Sequence, residues 1–401
     1  MSHGEEAVAA ASKAEAGPYG GRPSVGAEDG GGTQHPGAGR RGAAACTYMT
    51  AVCVHARRDA AAQQYRRSVE ASAGERALLR RPDSANDNGI TRSSSRPPCG
   101  GPCPSNAKIR GKTVIVTGAN TGIGKETALE LAKRGGKIIM ACRDMGKCEN
   151  AAREVRGTTL NHNVFAKHLD LASVKSIKEF AKSVLKEEQH IDVLINNAAV
   201  MRCPHWKTED GFEMQFGVNH LGHFLLTNLL LDRLKESGQS RIINVSSLAH
   251  IAGDIDFADL NWEKTKYDTK AAYCQSKLAN VLFTNELARR LKGTRVTANS
   301  LHPGVADTEL GRHTGMHKST FSSATLAPIF WTVIKSARQA AQPGVYLAVA
   351  EDLQETSGKY FHVFREKEAA KQALDEETAR KLWEESAKLV HLDEALQECK
   401  A

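Results

Sequence analysis

Thr117-Gly118-Ala119-Asn120-Thr121-Gly122-Ile123-Gly124 follows the apolar, β-type run Thr113-Val114-Ile115-Val116 and opens a helix-like stretch at Lys125-Glu126-Thr127-Ala128. Glycines at a strand-to-helix turn let the backbone approach a pyrophosphate, and the helix N-terminus turns free N–H groups on the anion. Such a turn alone is weak evidence. Farther on, Tyr273-Cys274-Gln275-Ser276-Lys277 sets a phenol and an ammonium one helical turn apart, so that they share a face. In this order, the two strings imply an oxidoreductase that uses a nicotinamide nucleotide.

The 401 residues are unevenly composed. Up to about Cys103 the chain is rich in Ala, Gly, Ser and Arg, with few large apolar residues and no sustained periodicity. Gly30-Gly31-Gly32 and Ser93-Ser94-Ser95-Arg96-Pro97-Pro98 typify it. This predicts a disordered tail over residues 1–105, a single catalytic domain over 106–365 and a helical extension over 366–401. The net charge of +8 is modest for the length and comes with no basic patch interleaved with aromatics, which argues against nucleic acid as a partner. Nine cysteines show no C-x-x-C pair or zinc spacing, predicting reduced thiols and no bound metal. No run reaches the roughly 20 apolar residues of a membrane span. Glu5, Glu6 and Glu15 argue against a transit peptide.

From Lys108 onward, apolar runs alternate with amphipathic stretches. Residues 114–116, 137–141, 165–169, 193–195, 241–245 and 296–299 read as strands. Residues 125–133, 174–185, 214–234 and 273–291 read as helices. This alternation predicts an α/β fold, a doubly wound parallel sheet of the Rossmann type. Ligands bind outside the carboxyl ends of such strands, where Gly118, Arg143, Asp170, Asn196, Ser247 and Pro303 all fall.

Further phrases narrow the reading: Ala141-Cys142-Arg143-Asp144, Val218-Asn219-His220-Leu221-Gly222-His223-Phe224, Val245-Ser246-Ser247-Leu248-Ala249-His250 and Leu301-His302-Pro303-Gly304. With the two strings above, they resemble the short-chain dehydrogenase/reductase family over roughly residues 108–365, and within it the retinol dehydrogenase branch. The resemblance implies a catalytic set of Asn219, Ser247, Tyr273 and Lys277. A free phenol titrates near 10. The Lys277 ammonium and an oxidised nicotinamide both lower that value, so Tyr273 can pass a proton to or from a substrate oxygen. By resemblance Ser247, rather than Ser246, hydrogen-bonds that oxygen. Asn219 is an unfavourable residue within a helix; in the family it bonds to the main chain, kinks the helix and holds a water linked to the lysine.

Cofactor contacts are expected at Gly118, Asn120, Thr121, Gly122, Ile123, Gly124, Arg143, Asp170, Asn197, Tyr273, Lys277, Pro303 and Gly304, with Asn196-Asn197-Ala198 lining one side. Arg143, about 20 residues past the glycine turn, suits a 2′-phosphate and predicts NADP(H). The rival reading turns Asp144 inward and leaves Arg143 to pair on the surface. Ala199 stands where the family usually has Gly. Residues 254–269 are expected to form a loop over the cleft. Leu326, Ile329, Phe330, Trp331, Val333 and Ile334 form an apolar segment, either a core helix or a lid admitting a long hydrophobic substrate.

The resemblance thus implies interconversion of a hydrophobic aldehyde and its alcohol, such as all-trans-retinal and retinol. A cofactor-binding sensor or scaffold is the alternative, and should lack Tyr273 or Lys277. An interaction module built on the basic tail has only composition behind it. The resemblance also implies a peripheral protein of the mitochondrial inner membrane, against a soluble cytoplasmic one, and leaves open a membrane contact and a homodimer.

Overall fold

The computed structural model describes residues 101–305, 310 and 335–400. The expected tail up to residue 100 and the apolar segment at 326–334 lie outside the described residues. In chain order the structure runs β1 (Thr113–Thr117), α1 (Gly122–Lys133), β2 (Lys137–Cys142), α2 (Met145–Thr159), β3 (Val164–His168), α3 (Val174–Glu187) and β4 (Val193–Asn196). Then come α4 (Gly222–Glu236), β5 (Ser240–Val245), α5 (Thr269–Arg290), β6 (Val296–His302), α6 (Ala337–Val349), β7 (Tyr360–His362), β8 (Arg365–Lys367), α7 (Glu376–Leu389) and α8 (Leu392–Lys400).

The central strands are apolar at successive positions because both faces of the sheet are covered. Val114, Val116, Ile138, Met140, Val193 and Ile195 point to one side, into a core shared with α1, α2 and α6. Ile115, Ile139, Leu194 and Ile242 point to the other, against α3, α4, α5, α7 and α8. This is the two-residue period of a strand expressed on two buried surfaces. The strand order is β3-β2-β1-β4-β5-β6-β7-β8, with β8 alone antiparallel to its neighbour. The order reverses between β1 and β4, which opens the crevice where such sheets bind ligands.

The doubly wound parallel sheet is as expected, and several details differ. The helix expected over 214–234 is three pieces: Met214–Phe216, a π-helical turn Gly217–Leu221, and α4. The expected boundary after residue 365 cuts β8, because that strand continues the sheet to Lys367. Beyond it, Leu382, Trp383, Val390 and Ala395 are buried against the core, whereas Leu374 is exposed. Cys142 and Cys148 form a disulfide, correcting the expectation of wholly reduced thiols. The tight connection from β2 into α2 brings the two residues together. Among the described residues, no helix is long and apolar enough to cross a membrane.

Candidate active site

The nucleotide side of the crevice is shaped by main chain. Gly118 has φ +64°, and a Cβ there would stand 2.9 Å from Ala198. A Cβ on Gly124 would stand 2.3 Å from the Gly118 carbonyl oxygen and 2.6 Å from the Asn197 amide nitrogen. Only glycine lets β1 turn this tightly into α1. Thr121, at the N-cap of α1, makes no side-chain cap, so the N–H groups of the first turn are left for an anion. The turn therefore fits the diphosphate of a dinucleotide. Asn120 and Thr121 share a shallow cleft with Lys147 and Asn150 of α2.

Arg143 stands exposed at the end of β2. Its neighbour Asp144 accepts the Lys147 N–H at 3.0 Å and pairs with the Lys147 ammonium at 3.5 Å. That N–H and charge hold the Asp144 carboxyl below its usual range. The acid caps α2 rather than turning inward. Asp170, after β3, accepts the Ala172 N–H at 2.9 Å and is half-buried. Asn197 donates its amide to the Thr117 carbonyl at 2.8 Å. Asn196 is different: its amide points into the core, to Thr227 and Asn244, and does not line the cleft. Ala199 has no positive φ, so its methyl sits on backbone that any L-residue adopts. Pro303 and Gly304 follow β6, where the Lys335 N–H reaches the Val305 carbonyl at 2.8 Å.

On the catalytic side, buried side chains hold one another. Asn219 lies in the π turn and is fully buried. Its side-chain oxygen accepts the Val200 N–H at 2.8 Å, and its amide donates to the Val200 carbonyl at 2.9 Å and to Ser276 Oγ at 3.0 Å. The Ser276 hydroxyl donates in turn to the Tyr273 carbonyl at 2.8 Å. Lys277 Nζ donates to the Val245 carbonyl at 3.1 Å and lies 5.7 Å from the centre of the Tyr273 ring. Burial pulls the Lys277 ammonium down to about 7. Ser246 gives its hydroxyl to the Lys277 carbonyl at 2.7 Å, so it is committed to structure. Ser247 begins the turn beyond β5 and is half-buried.

Two residues that the sequence reading passed over join the halves. Thr117 Oγ1 accepts the N–H groups of Asn197 and Ala198 at 2.9 and 3.0 Å. Its one proton then goes to His223 Nε2 at 2.9 Å, the Ile195 carbonyl being farther at 3.4 Å. This leaves the His223 Nδ1–H to donate to the Asn219 carbonyl at 3.1 Å. Burial lowers His223 to about 3, in keeping with a neutral ring. Thr117 and His223 each lie in a motif, but they are 106 residues apart, and nothing in either motif signals their pairing. The 254–269 loop is fastened to the segment before α4: Tyr267 gives its hydroxyl to Glu213 at 2.8 Å, and burial pushes that carboxyl up.

The chain matches the family model described as short chain dehydrogenase over residues 112–318. It is 72% identical over 294 residues to retinol dehydrogenase 13 of Homo sapiens, covering 73% of this chain and 89% of the relative. It is 52% identical over 292 residues to retinol dehydrogenase 11 of Homo sapiens, covering 73% and 90%. A crystal structure of an uncharacterized protein from Mycobacterium Paratuberculosis is similar at 38% identity and a TM-score of 0.57, over 71% of this chain and 95% of that one. This family uses nicotinamide cofactors, whose diphosphate the glycine turn fits. The chain belongs to the short-chain dehydrogenase/reductase family, in its retinol dehydrogenase branch.

Proposed function

We propose that the chain interconverts a hydrophobic aldehyde and its alcohol, of the retinal and retinol class, with NADP(H). The bound nicotinamide supplies the hydride in reduction and takes it up in oxidation. Tyr273 gives its phenolic proton to the carbonyl oxygen in reduction and takes the alcohol proton in oxidation. Ser247 donates a hydrogen bond to the same oxygen as charge gathers there. Lys277, where protonated, lowers the cost of the phenolate. Asn219 holds the turn that runs from Tyr273 to Ser276, through the Ser276 hydroxyl.

The observation that carries this reading is that buried hydrogen bonds tie Asn219 to the Tyr273 carbonyl through Ser276, and tie Lys277, on the same helix, to the end of β5. A sensor or scaffold would have no need to bury a lysine amine beside a tyrosine. Arg143 supports the choice of NADP(H), because Asp144 is engaged by α2 and leaves the guanidinium as the group presented to a 2′-phosphate. Kinship supports a peripheral place at the mitochondrial inner membrane, to be tested by fractionation and carbonate extraction. Rates with NADPH and NADH, against retinal and a short aldehyde, test the activity. Equal rates with both nucleotides, or no turnover of either aldehyde, would overturn it.

A further inference from the structure

Residues 370–373, beyond the last strand, touch both catalytic elements. The Ala370 N–H donates to His250 Nε2 at 3.1 Å. The Gln372 amide donates to the carbonyls of Ile251 at 2.8 Å and Gly253 at 3.2 Å. These acceptors belong to the turn Leu248–Ala252 and its end, which Ser247 begins. His250 closes the other side of that turn: its Nδ1–H and its main-chain N–H both donate to the Ser247 carbonyl, at 2.7 and 3.1 Å. Both ring nitrogens are thereby assigned, Nδ1 as donor and Nε2 as acceptor. One residue past Gln372, the Ala373 carbonyl accepts the Asn285 amide of α5 at 2.8 Å. The helix carrying Tyr273 and Lys277 is thus held by the same short segment.

We propose that the 370–373 segment, acting through His250 and Gln372, is a positioning clasp that fixes Ser247 relative to Tyr273. The inference rests on the reading of Ser247 and Tyr273 given above. A turn hydrogen-bonded only within itself would let the Ser247 hydroxyl wander against a substrate oxygen that Tyr273 must also reach. Gln372 removes that freedom because it bonds three-dimensionally separate carbonyls from outside the turn. Its side chain is half-buried, so substitution there leaves the core packing intact.

Two substitutions of Gln372 give opposite expectations. Gln372→Glu keeps the shape but faces the carbonyls with acceptors, whereas Gln372→Lys keeps a donor. In Gln372→Glu, kcat for retinal with NADPH should fall roughly 10- to 100-fold, the range expected of small misplacement near reacting atoms. Its NADPH dissociation constant and thermal midpoint should stay near wild type, and amide exchange over 248–253 should quicken. Gln372→Lys should retain most of the rate and the slow exchange. His250→Asn, which loses the acceptor for Ala370, should likewise lower kcat and quicken exchange over 248–253, with a lower thermal midpoint because His250 is buried. Equal rates for the Glu and Lys variants, or in Gln372→Glu a loss of nucleotide affinity and stability matching the loss of rate, would overturn the clasp. Ser247→Ala separates this from the underlying reading. Should it be inactive while Gln372→Glu is fully active, the clasp alone fails; should it be active, the role given to Ser247 fails.

Discussion

The two sides of the crevice are made of different material. From β1 to β4 the nucleotide side is shaped by glycine backbone, helix N–H groups and short loops. From the π turn to α5 the catalytic side is the reverse: Asn219, Ser276 and Lys277 are buried, and each leans on a group from another segment. A backbone surface fails when something is added to it. A network of side chains fails when something is removed.

The largest effect should follow removal on the catalytic side. Tyr273→Phe should cost roughly 10²- to 10⁴-fold in kcat, with NADPH affinity unchanged by fluorescence titration. A variant keeping half the wild-type rate would break the contrast at once. The counterpart on the nucleotide side is an addition. Gly124→Ala would place its methyl 2.3 Å from the Gly118 carbonyl oxygen, and should cost about 1–3 kcal/mol of stability and weaken NADPH and NADH alike. Wild-type affinity in calorimetry would show that the turn has slack.

Arg143, in the function proposed above, is the exception that sharpens the comparison, a side chain acting on the nucleotide side. Arg143→Ala should weaken NADPH by about 1.5–3 kcal/mol, ten- to a hundred-fold, and leave NADH nearly untouched. Equal weakening of both would make Arg143 structural. A smaller effect tests the buried amine. With Lys277 at about 7 in the fold against 10.5 when free, the unfolded chain holds more protons between those values. Stability of the nucleotide-free protein should therefore rise with pH from 7 toward 10, by about 1.4 kcal/mol per unit at most. Urea midpoints at pH 7 and 8 should show that slope in wild type and lack it in Lys277→Met. The smallest change is Ala199→Gly, which should cost under about 1 kcal/mol, since the backbone there needs no glycine. A large gain in activity would mean that the methyl does crowd the cofactor.

The sequence was most readable where chemistry and chain run together. Gly118 to Gly124 occupy one turn, and Tyr273 and Lys277 one face, so spacing alone locates them. The strands of the buried sheet were readable too, because runs such as Thr113–Thr117 have apolar residues facing both ways. Helices α2 and α6 were harder: α2 is mostly polar, and α6 carries Pro343 within it. The π turn at Gly217–Leu221 was signalled only by Asn219, which marks a helix irregularity without saying of which kind. Thr117, His223, His250 and Gln372 were missed for a common reason. Each acts through a partner distant in the chain, and no periodicity records such a pairing.

The final hairpin has a consequence for the protein at high concentration. A parallel sheet presents a row of unpaired N–H and C=O groups at each rim, which a neighbouring chain can extend into an aggregate. Here the rim beyond β7 is taken by Arg365–Lys367, three residues long and exposed throughout. Glu366 already pairs with Lys359 at 2.9 Å. A second molecule docking on that strand would gain few hydrogen bonds and would have to desolvate three charged side chains. On this rim, the hairpin leaves little for edge-to-edge pairing.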